Sequence, residues 1–346
     1  MQQAATRTLL PTPRRWTVRT ASAVGLVAVV AAALAVGSVG LTPGELLGAL
    51  TRGLQGRVEG AADVIVWQVR LPRVLLAAAV GAALALAGTA YQAVFRNPLA
   101  DPYLLGAASG AGFGAAAAMI LAPATIAASG LGVGGAAFLA ALATVAAVVT
   151  LARRGGRLPI VSLILAGVVL GSSLSAATSF VMLADRERTA GVLSWLLGSF
   201  AFASWHDLAV LGSIVAVALP ASLAARRAFD LLSVGEDSAR LLGLPVEGFK
   251  WAVVVLATLL TAAAVAVAGV IGFVGLIVPH AVRLVVGPEH RELVPLAALW
   301  GAAFLVLADL TARTVLGPGE LPVGVVTALV GGPFFLVLLR RGREAT

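Results

Sequence analysis

The chain contains no cysteine, which excludes disulfides, thiolate metal centres and thiol redox chemistry. It has a single lysine, Lys250, and three histidines, His206, His280 and His290. No two of these histidines stand at metal-ligand spacing and no carboxylate cluster joins them, so no metal site is expected. A G-x-x-x-x-G-K-[ST] phosphate loop is also missing, and Lys250 sits in an unrelated "EGFKW". The chain cannot be its own P-loop ATPase. "GSSLS" at 171–175 is serine-rich, but no histidine falls in an apolar run at matching depth. Hydroxyls bonding within their own helices are the simpler expectation. No catalytic residue and no bound cofactor are expected.

Charge is equally scarce. Only 12% of the 346 residues are charged while 60% are hydrophobic, and mean hydropathy is +1.01. A soluble domain of this length needs far more polar surface. The net charge of +8 does not point to nucleic acid, because the arginines punctuate the ends of apolar runs instead of forming an aromatic-interleaved stripe.

What is present is a series of apolar runs near 21–40, 74–95, 103–123, 131–152, 159–183, 205–225, 251–268, 270–286, 293–313 and 321–339. About 20 apolar residues cross a ~30 Å hydrocarbon core as a helix. The expectation is an all-α polytopic membrane protein of about ten helices, a single membrane domain over 1–346 with a cytoplasmic tail at 1–20 and a cytoplasmic loop at 226–250. The break between the seventh and eighth runs falls near Gly269–Gly272. Ten crossings put both termini on one side. With that side inside, most of the 24 basic residues lie at cytoplasmic ends, among them Arg7, Arg14, Arg15, Arg19, Arg96, Arg153, Arg154, Arg226, Arg227, Arg240, Arg291 and Arg340. This asymmetry places both termini in the cytoplasm. The basic N-terminus followed by a long apolar run reads as an uncleaved first helix.

Two segments between runs carry helix punctuation. In "LTPGELLGALTRGLQG", Thr42 and Glu45 fit a capping box and Pro43 suits the first helical position. Leu46, Leu47, Leu50 and Leu54 then share a face, as in a short amphipathic helix lying on the outer membrane surface. In "DLLSVGEDSARLLGLPVEG", Ser233 and Glu236 fit a second box, Glu236 and Arg240 an i,i+4 pair, and Gly243 with Pro245 a stop. The segment is either a solvated linker or a docking surface for a cytoplasmic partner.

Within the runs, Gly106, Gly110 and Gly114, and Gly167 and Gly171, have the spacing that lets helix backbones approach in lipid. Asp309 lies inside the ninth run, with Arg313 one turn on as its expected partner. An ion-coupled carrier would need more acids at mid-depth or opposed broken helices, and no second acid is found. Between the second and third runs, "FRNPLADP" places Pro98 and Pro102 where they stop a helix.

Four blocks in order closely resemble the FecCD-type permease subunits of ABC importers for iron–siderophores, haem and vitamin B12. They are "RLPRVLLAAAVGAALALAGTAYQAVFRNPLADPYLLGAASGAGFG" (70–114), "GEDSARLLGLPV" (235–246), "GVIGFVGLIVPHAVRLVVGPEHRELVPLAALWGAAFLVLADLTAR" (269–313) and "ELPVGVVTALVGGPFFLVLLRR" (320–341). The resemblance implies a type II ABC importer permease bundle in a bacterial inner membrane. It implies a homodimer or a pair of homologous permeases, a cytoplasmic ABC ATPase dimer that uses ATP, and an extracytoplasmic substrate-binding protein. Matched positions imply docking to the ATPase through Glu236, Asp237, Ser238, Arg240, Leu242, Gly243 and Leu244. They imply a cytoplasmic gate at Asn97 and Leu99, and a path lined by Ser172, Ser175, Thr327 and Gly331. Arg52, Arg57 and Arg313 would meet the binding protein. The loop before the fifth run, Pro159, Ile160 and Val161, lacks the hydroxyls expected of a second constriction. A ferric siderophore is the expected substrate, with haem or vitamin B12 as alternatives and an ion-coupled secondary transporter as the competing class.

Overall fold

The computed structural model describes residues 12–37, 39–316 and 319–343. Residues 1–11 of the expected cytoplasmic tail, including Arg7, and the side chain of Arg14 lie outside the described residues. The chain forms α1 (Thr12–Ala35), α2 (Pro43–Leu54), α3 (Ala61–Val94), α4 (Ala107–Leu121), α5 (Pro123–Ser129), α6 (Gly132–Ala152), α7 (Ile160–Ala184) and α8 (Arg186–Leu196). It continues through α9 (Trp205–Ala224), α10 (Arg226–Val234), α11 (Glu236–Leu241), α12 (Val246–Ala268), α13 (Val274–Val286), α14 (His290–Ala312) and α15 (Val323–Arg343).

Among the described residues, seven helices are long and apolar enough to span a membrane. Three shorter apolar ones, α4, α13 and most of α15, complete the ten expected runs. The central element is α3. Its 34 residues rise about 51 Å, more than a ~30 Å hydrocarbon core, so it extends past the membrane at one end. A π-helical stretch at Ile65–Arg70 lies where the helix leaves the bundle.

α3 is wrapped by α9, α12, α13 and α14, and from Val74 to Phe95 nearly every side chain is buried. Between apolar helices in lipid the hydrophobic effect offers little, so close van der Waals contact holds the bundle. Two crossings use it fully. A Cβ on Gly81 or Gly301 would strike the backbone of the other helix, and a Cβ on Gly88 would strike Gly275. The expected Gly110 and Gly114 pack against Thr144, Ala140 and Ala136 of α6, and Gly167 against the carbonyl of Leu104. These glycines serve packing within one subunit.

α2 forms as its punctuation requires. Thr42 N–H donates to Glu45 Oε2 at 2.8 Å, and Glu45 N–H donates to Thr42 Oγ1 at 3.3 Å. Leu47 and Leu54 remain exposed while Leu46 is partly buried, the arrangement of a helix resting on lipid.

Backbone that leaves the helical pattern inside the bundle is paired elsewhere. α12 stops at Ala268, and 269–273 runs irregularly to Phe273, whose φ is +71°. Ser199 N–H donates to Ala268 O at 2.9 Å and Tyr103 Oη–H to Ile271 O at 3.0 Å. The carbonyls of Gly198 and Leu197 accept from Val323 and Gly324, each at 3.0 Å. The turn after α8, the break before α13 and the start of α15 therefore satisfy one another's polar groups, as lipid cannot.

Gly301→Val is expected to lower stability by about 3 kcal/mol, because the added methyl groups meet backbone that cannot yield. Gly248→Val, with open space around it, should change stability by less than about 0.5 kcal/mol. Thermal unfolding of the detergent-solubilised protein measures both.

Candidate functional site

The segment after α9, expected to be cytoplasmic, is two helices. α10 runs through Ser233, whose hydroxyl donates to Asp230 O at 2.6 Å. The expected Ser233–Glu236 box is therefore not formed. Gly235, at φ +135°, starts α11 without a side-chain cap, and α11 is under two turns long. The physical reason is that α10 is amphipathic and buries Phe229 and Leu232, so Ser233 belongs to its last turn. The stop is as expected: Gly243 takes φ +86°, and Leu244 N–H reaches back to Ala239 O at 3.0 Å.

α11 is moored from below by charge. Glu236 pairs with Arg240 at 3.4 Å and with Lys250 at 3.1 Å. Glu247 pairs with the same two cations at 3.2 Å each. Lys250, 3% exposed, also donates to Leu158 O at 3.1 Å, and Leu158 N–H donates to Glu247 Oε2 at 2.9 Å. The only lysine thus fastens α11 to the first turn of α12 and to the corner that precedes α7. Above this base, Asp237, Leu241, Leu242 and Gly243 face solvent, while Ser238 and Leu244 are partly covered. Leu241, at 89% exposure, was passed over in the sequence. Its signal was an apolar residue inside a charged loop.

α10 is fastened separately. Asp230 accepts from the backbone N–H of His290 at 3.0 Å and from its Nδ1 at 2.7 Å, acting as a cap on α14. Partial burial opposes the Asp230 charge, but the hydrogen bonds from His290 outweigh it and hold the carboxyl below its usual range.

The expected gate is a folded corner. Arg96 takes φ +49°, and Asn97 Oδ1 accepts from Leu99 N–H at 2.9 Å, an Asx turn. Asn97 is exposed and Leu99 partly buried. Gln92 links this corner to α13: its Nε2 donates to Gly275 O at 3.3 Å, and its Oε1 accepts from Arg283 at 3.0 Å. Asp101 caps the following turn by accepting from Tyr103 N–H at 2.8 Å, and burial raises its pKa to about 6.

At the other end of the bundle, Asp309 is 1% exposed. Its main partner is Arg73 of α3, through Nε at 3.0 Å and Nη2 at 2.8 Å. The expected partner, Arg313, stands at 3.8 Å. Arg73 also holds Glu320 by two bonds of 2.9 Å. That pairing keeps the Glu320 carboxyl below its usual range. Arg313 is itself buried and donates to Ala33 O, so it does not stand on an outer docking surface. The cause is the neighbouring end of α1, whose last carbonyls need donors. Arg70 serves Leu34 O at 2.6 Å and Ala35 O at 3.0 Å in the same way. Of the other expected docking residues, Arg52 is half-exposed and paired with Asp63 at 2.7 Å, and Arg57 is exposed.

The expected path residues divide. Ser172 and Ser175 lie on an exposed face of α7, with Ser175 donating to Ser109 Oγ at 3.2 Å. Thr327 is buried and bonds Gly324 O at 3.1 Å, and Gly331 packs against the Phe273 ring. Those two face into their own subunit, because the i,i+4 stripe they share meets the start of α13. The opposite stripe of α15, with Leu329 and Val330, is the exposed one. A cavity of about 1020 Å³ opens where α6, α8, α9 and α12 meet, lined in part by Phe138, Trp195, Ser199, His206, Asp207 and Glu320.

With this geometry in place, the family model described as the FecCD transport family matches residues 25–341. The chain belongs to the FecCD transport family. Its FecCD relatives include the cobalamin import system permease of Halobacterium salinarum, 46% identical over 83% of this chain and 76% of that one. The hemin transport system permease of Yersinia pestis is 42% identical over 81% and 84%. A solved structure described as an inward-facing metal-chelate type ABC transporter is 31% identical, covers 94% of this chain and 99% of that one, and superposes with a TM-score of 0.83. This FecCD protein is thus a membrane-spanning transport permease of the type II ABC importer fold, and not an enzyme. The family match and the ABC-transporter neighbour favour the ABC importer class over the ion-coupled alternative.

Arg73→Ala should cost about 3–5 kcal/mol, because it leaves a buried carboxylate unpaired. The double variant Arg73→Met/Asp309→Leu should recover most of that in the same thermal assay. Asp101 predicts a pH dependence. An unfolded aspartate titrates near 3.9 and the folded one at about 6. Between those values the folded chain keeps a proton that the unfolded chain has lost. Stability should therefore fall as pH rises from about 4 to 6 and level off above. Asp101→Asn should flatten that part of a melting-temperature profile.

Proposed function

We propose that this chain is the membrane half of an ATP-driven importer in a bacterial inner membrane, with both termini in the cytoplasm. It pairs with a second copy or a homologous permease. It receives a metal chelate from an extracytoplasmic binding protein and is driven by a cytoplasmic ABC ATPase dimer. The observation that carries this is α11: a short helix clamped from beneath by Lys250, Glu247 and Arg240, with Leu241 and Leu242 turned outward at 89% and 66% exposure. A solvated linker has no reason to be so held, nor to present two leucines. A rigid knob with an apolar tip suits insertion into a partner's groove.

Displacement of α11 by the ATPases would be passed on by three routes. The Lys250–Glu247 base carries it to α12 and, through Leu158, to the corner before α7. The Asp230–His290 clasp carries it to α14. Gln92 and Tyr103 then join the Asn97–Leu99 corner to the broken segment before α13. The gate and the break would move together, which is a shear of packed helices about short irregular joints. Of the residues expected to dock, Arg57 and the exposed side of Arg52 are left to meet an acidic binding protein, and of the expected path residues Ser172 and Ser175 are left to line a path between copies.

For the substrate, the ferric siderophore expected from the sequence stands beside the cobalamin and hemin named for the relatives. The 46% and 42% identities favour a metal–tetrapyrrole. The outer cavity lies at the upper end of small-molecule site volumes, which suits a bulky chelate of either kind.

Proteoliposomes holding the permease, its ATPase and its binding protein would test the proposal. Uptake should require ATP, and Leu241→Ser/Leu242→Ser should weaken ATPase attachment by at least about tenfold with thermal stability unchanged. Uptake driven by an ion gradient without the ATPase would refute it. Competition among cobalamin, haem and a ferric siderophore for the same uptake would assign the cargo.

A further inference from the structure

α1 is the most peripheral of the long helices, and its two ends are held by charge. One end is capped by Arg70 and Arg313. At the other, Arg15 pairs with Glu289 at 3.2 Å and Arg19 grips Glu292 through Nε at 2.8 Å and Nη2 at 2.9 Å. Glu292 is 3% exposed, so this second grip is spent on neutralising a buried acid. Arg291 extends beside the pair, is exposed, and makes no ion pair among the described residues. Arg15, Trp16, Arg19, Arg291 and Glu292 line a small open cleft of about 60 Å³ between the start of α1 and the start of α14, room for about two water molecules. Among the described residues, three guanidinium groups meet two carboxylates there, and Arg291 is the one without a carboxylate partner, at the positive end of the α14 dipole.

The surroundings are those of a membrane boundary. Trp16 is 64% exposed, and the Arg19 guanidinium lies over its ring at 5.6 Å, the pairing of an aromatic belt with a cation at headgroup level. From Trp16 the exposed face of α1 continues directly into Val24 and Val27, each 68% exposed. A ligand seated in the cleft would therefore have its polar end among arginines and any apolar tail along those valines.

We infer that this junction is a binding site for the phosphate headgroup of an anionic phospholipid, which fastens α1 to α14 at the face assigned above to the cytoplasm. A basic pocket between helices at that depth is what such headgroups recognise. The apolar continuation along α1 selects a lipid over free phosphate, which would gain nothing from Val24 and Val27. The bound lipid supplies the negative charge that Arg291 lacks and adds contact area to a helix that buries little of its own.

The test uses the full-length protein in nanodiscs of phosphatidylcholine with increasing dibrominated phosphatidylglycerol. Quenching assigned to Trp16 is read as the difference between the wild type and Trp16→Phe. Nanodiscs expose both leaflets, so the result is independent of the orientation and transport function proposed above. Half-maximal quenching in the wild type should need about fivefold less phosphatidylglycerol than in Arg291→Gln, the weight of one arginine at such a surface. Arg154→Gln, at a distant corner, should match the wild type. Equal quenching by dibrominated phosphatidylcholine, or an Arg291→Gln curve that overlays the wild type, overturns the site. Loss of the preference on adding millimolar inorganic phosphate makes it a soluble-anion site and overturns the lipid assignment.

Discussion

The whole structure answers to one constraint: inside lipid, a polar group has no partner except another part of the protein. Ordinary helices meet that constraint by themselves. This chain departs from ordinary helix at the turn after α8 and between α12 and α13, and it sinks Arg70, Arg73, Asp309 and Arg313 among apolar helices. Each departure is answered across the bundle. Ala268 O meets Ser199, Ile271 O meets Tyr103, and Leu197 O and Gly198 O meet the first amides of α15. Arg73 meets Asp309 and Glu320, while Arg70 and Arg313 meet the open end of α1. These bonds join elements far apart in sequence, so they fix the arrangement of helices as well as satisfying atoms.

That arrangement leaves rigid and yielding parts in useful places. The close crossings of α3 with α13 and α14 have no space to give, and a packed core responds to force by shifting as a unit. The irregular joints, by contrast, are held by single hydrogen bonds and by left-handed residues such as Arg96 and Phe273. The push proposed at α11 would meet stiff rods joined at weak corners. The corner at Asn97 and the break before α13 are linked through Gln92 and Tyr103.

Much of this was legible in the sequence. Ten apolar runs, the Thr42–Glu45 box and the stop at Gly243 each depend on residues a few positions apart, and local rules reach that far. The break near Gly269 was also visible, because glycines interrupt an otherwise continuous run. The partner of Asp309 was not visible. Local spacing offered Arg313, but Arg73, 236 positions away, has the better geometry. Ser233 looked like a cap because a box motif says nothing about whether the preceding helix has already ended. Thr327 and Gly331 were expected to line a path and are instead packed inside the subunit. An apolar helix has little moment to show which stripe faces protein and which faces lipid.

Lys250 draws these levels together. A lone lysine in a chain of arginines reads as incidental, and by position it falls on the first turn of a spanning helix. Buried, it would be costly without partners. With Glu236, Glu247 and the carbonyl of Leu158 around it, it becomes the point where α11, α12 and the corner before α7 meet. An ammonium suits that role: it is a compact charge whose three donors can be shared among several acceptors. The buried arginines Arg70, Arg73 and Arg313 hold pairs and helix ends, and the one lysine holds a junction.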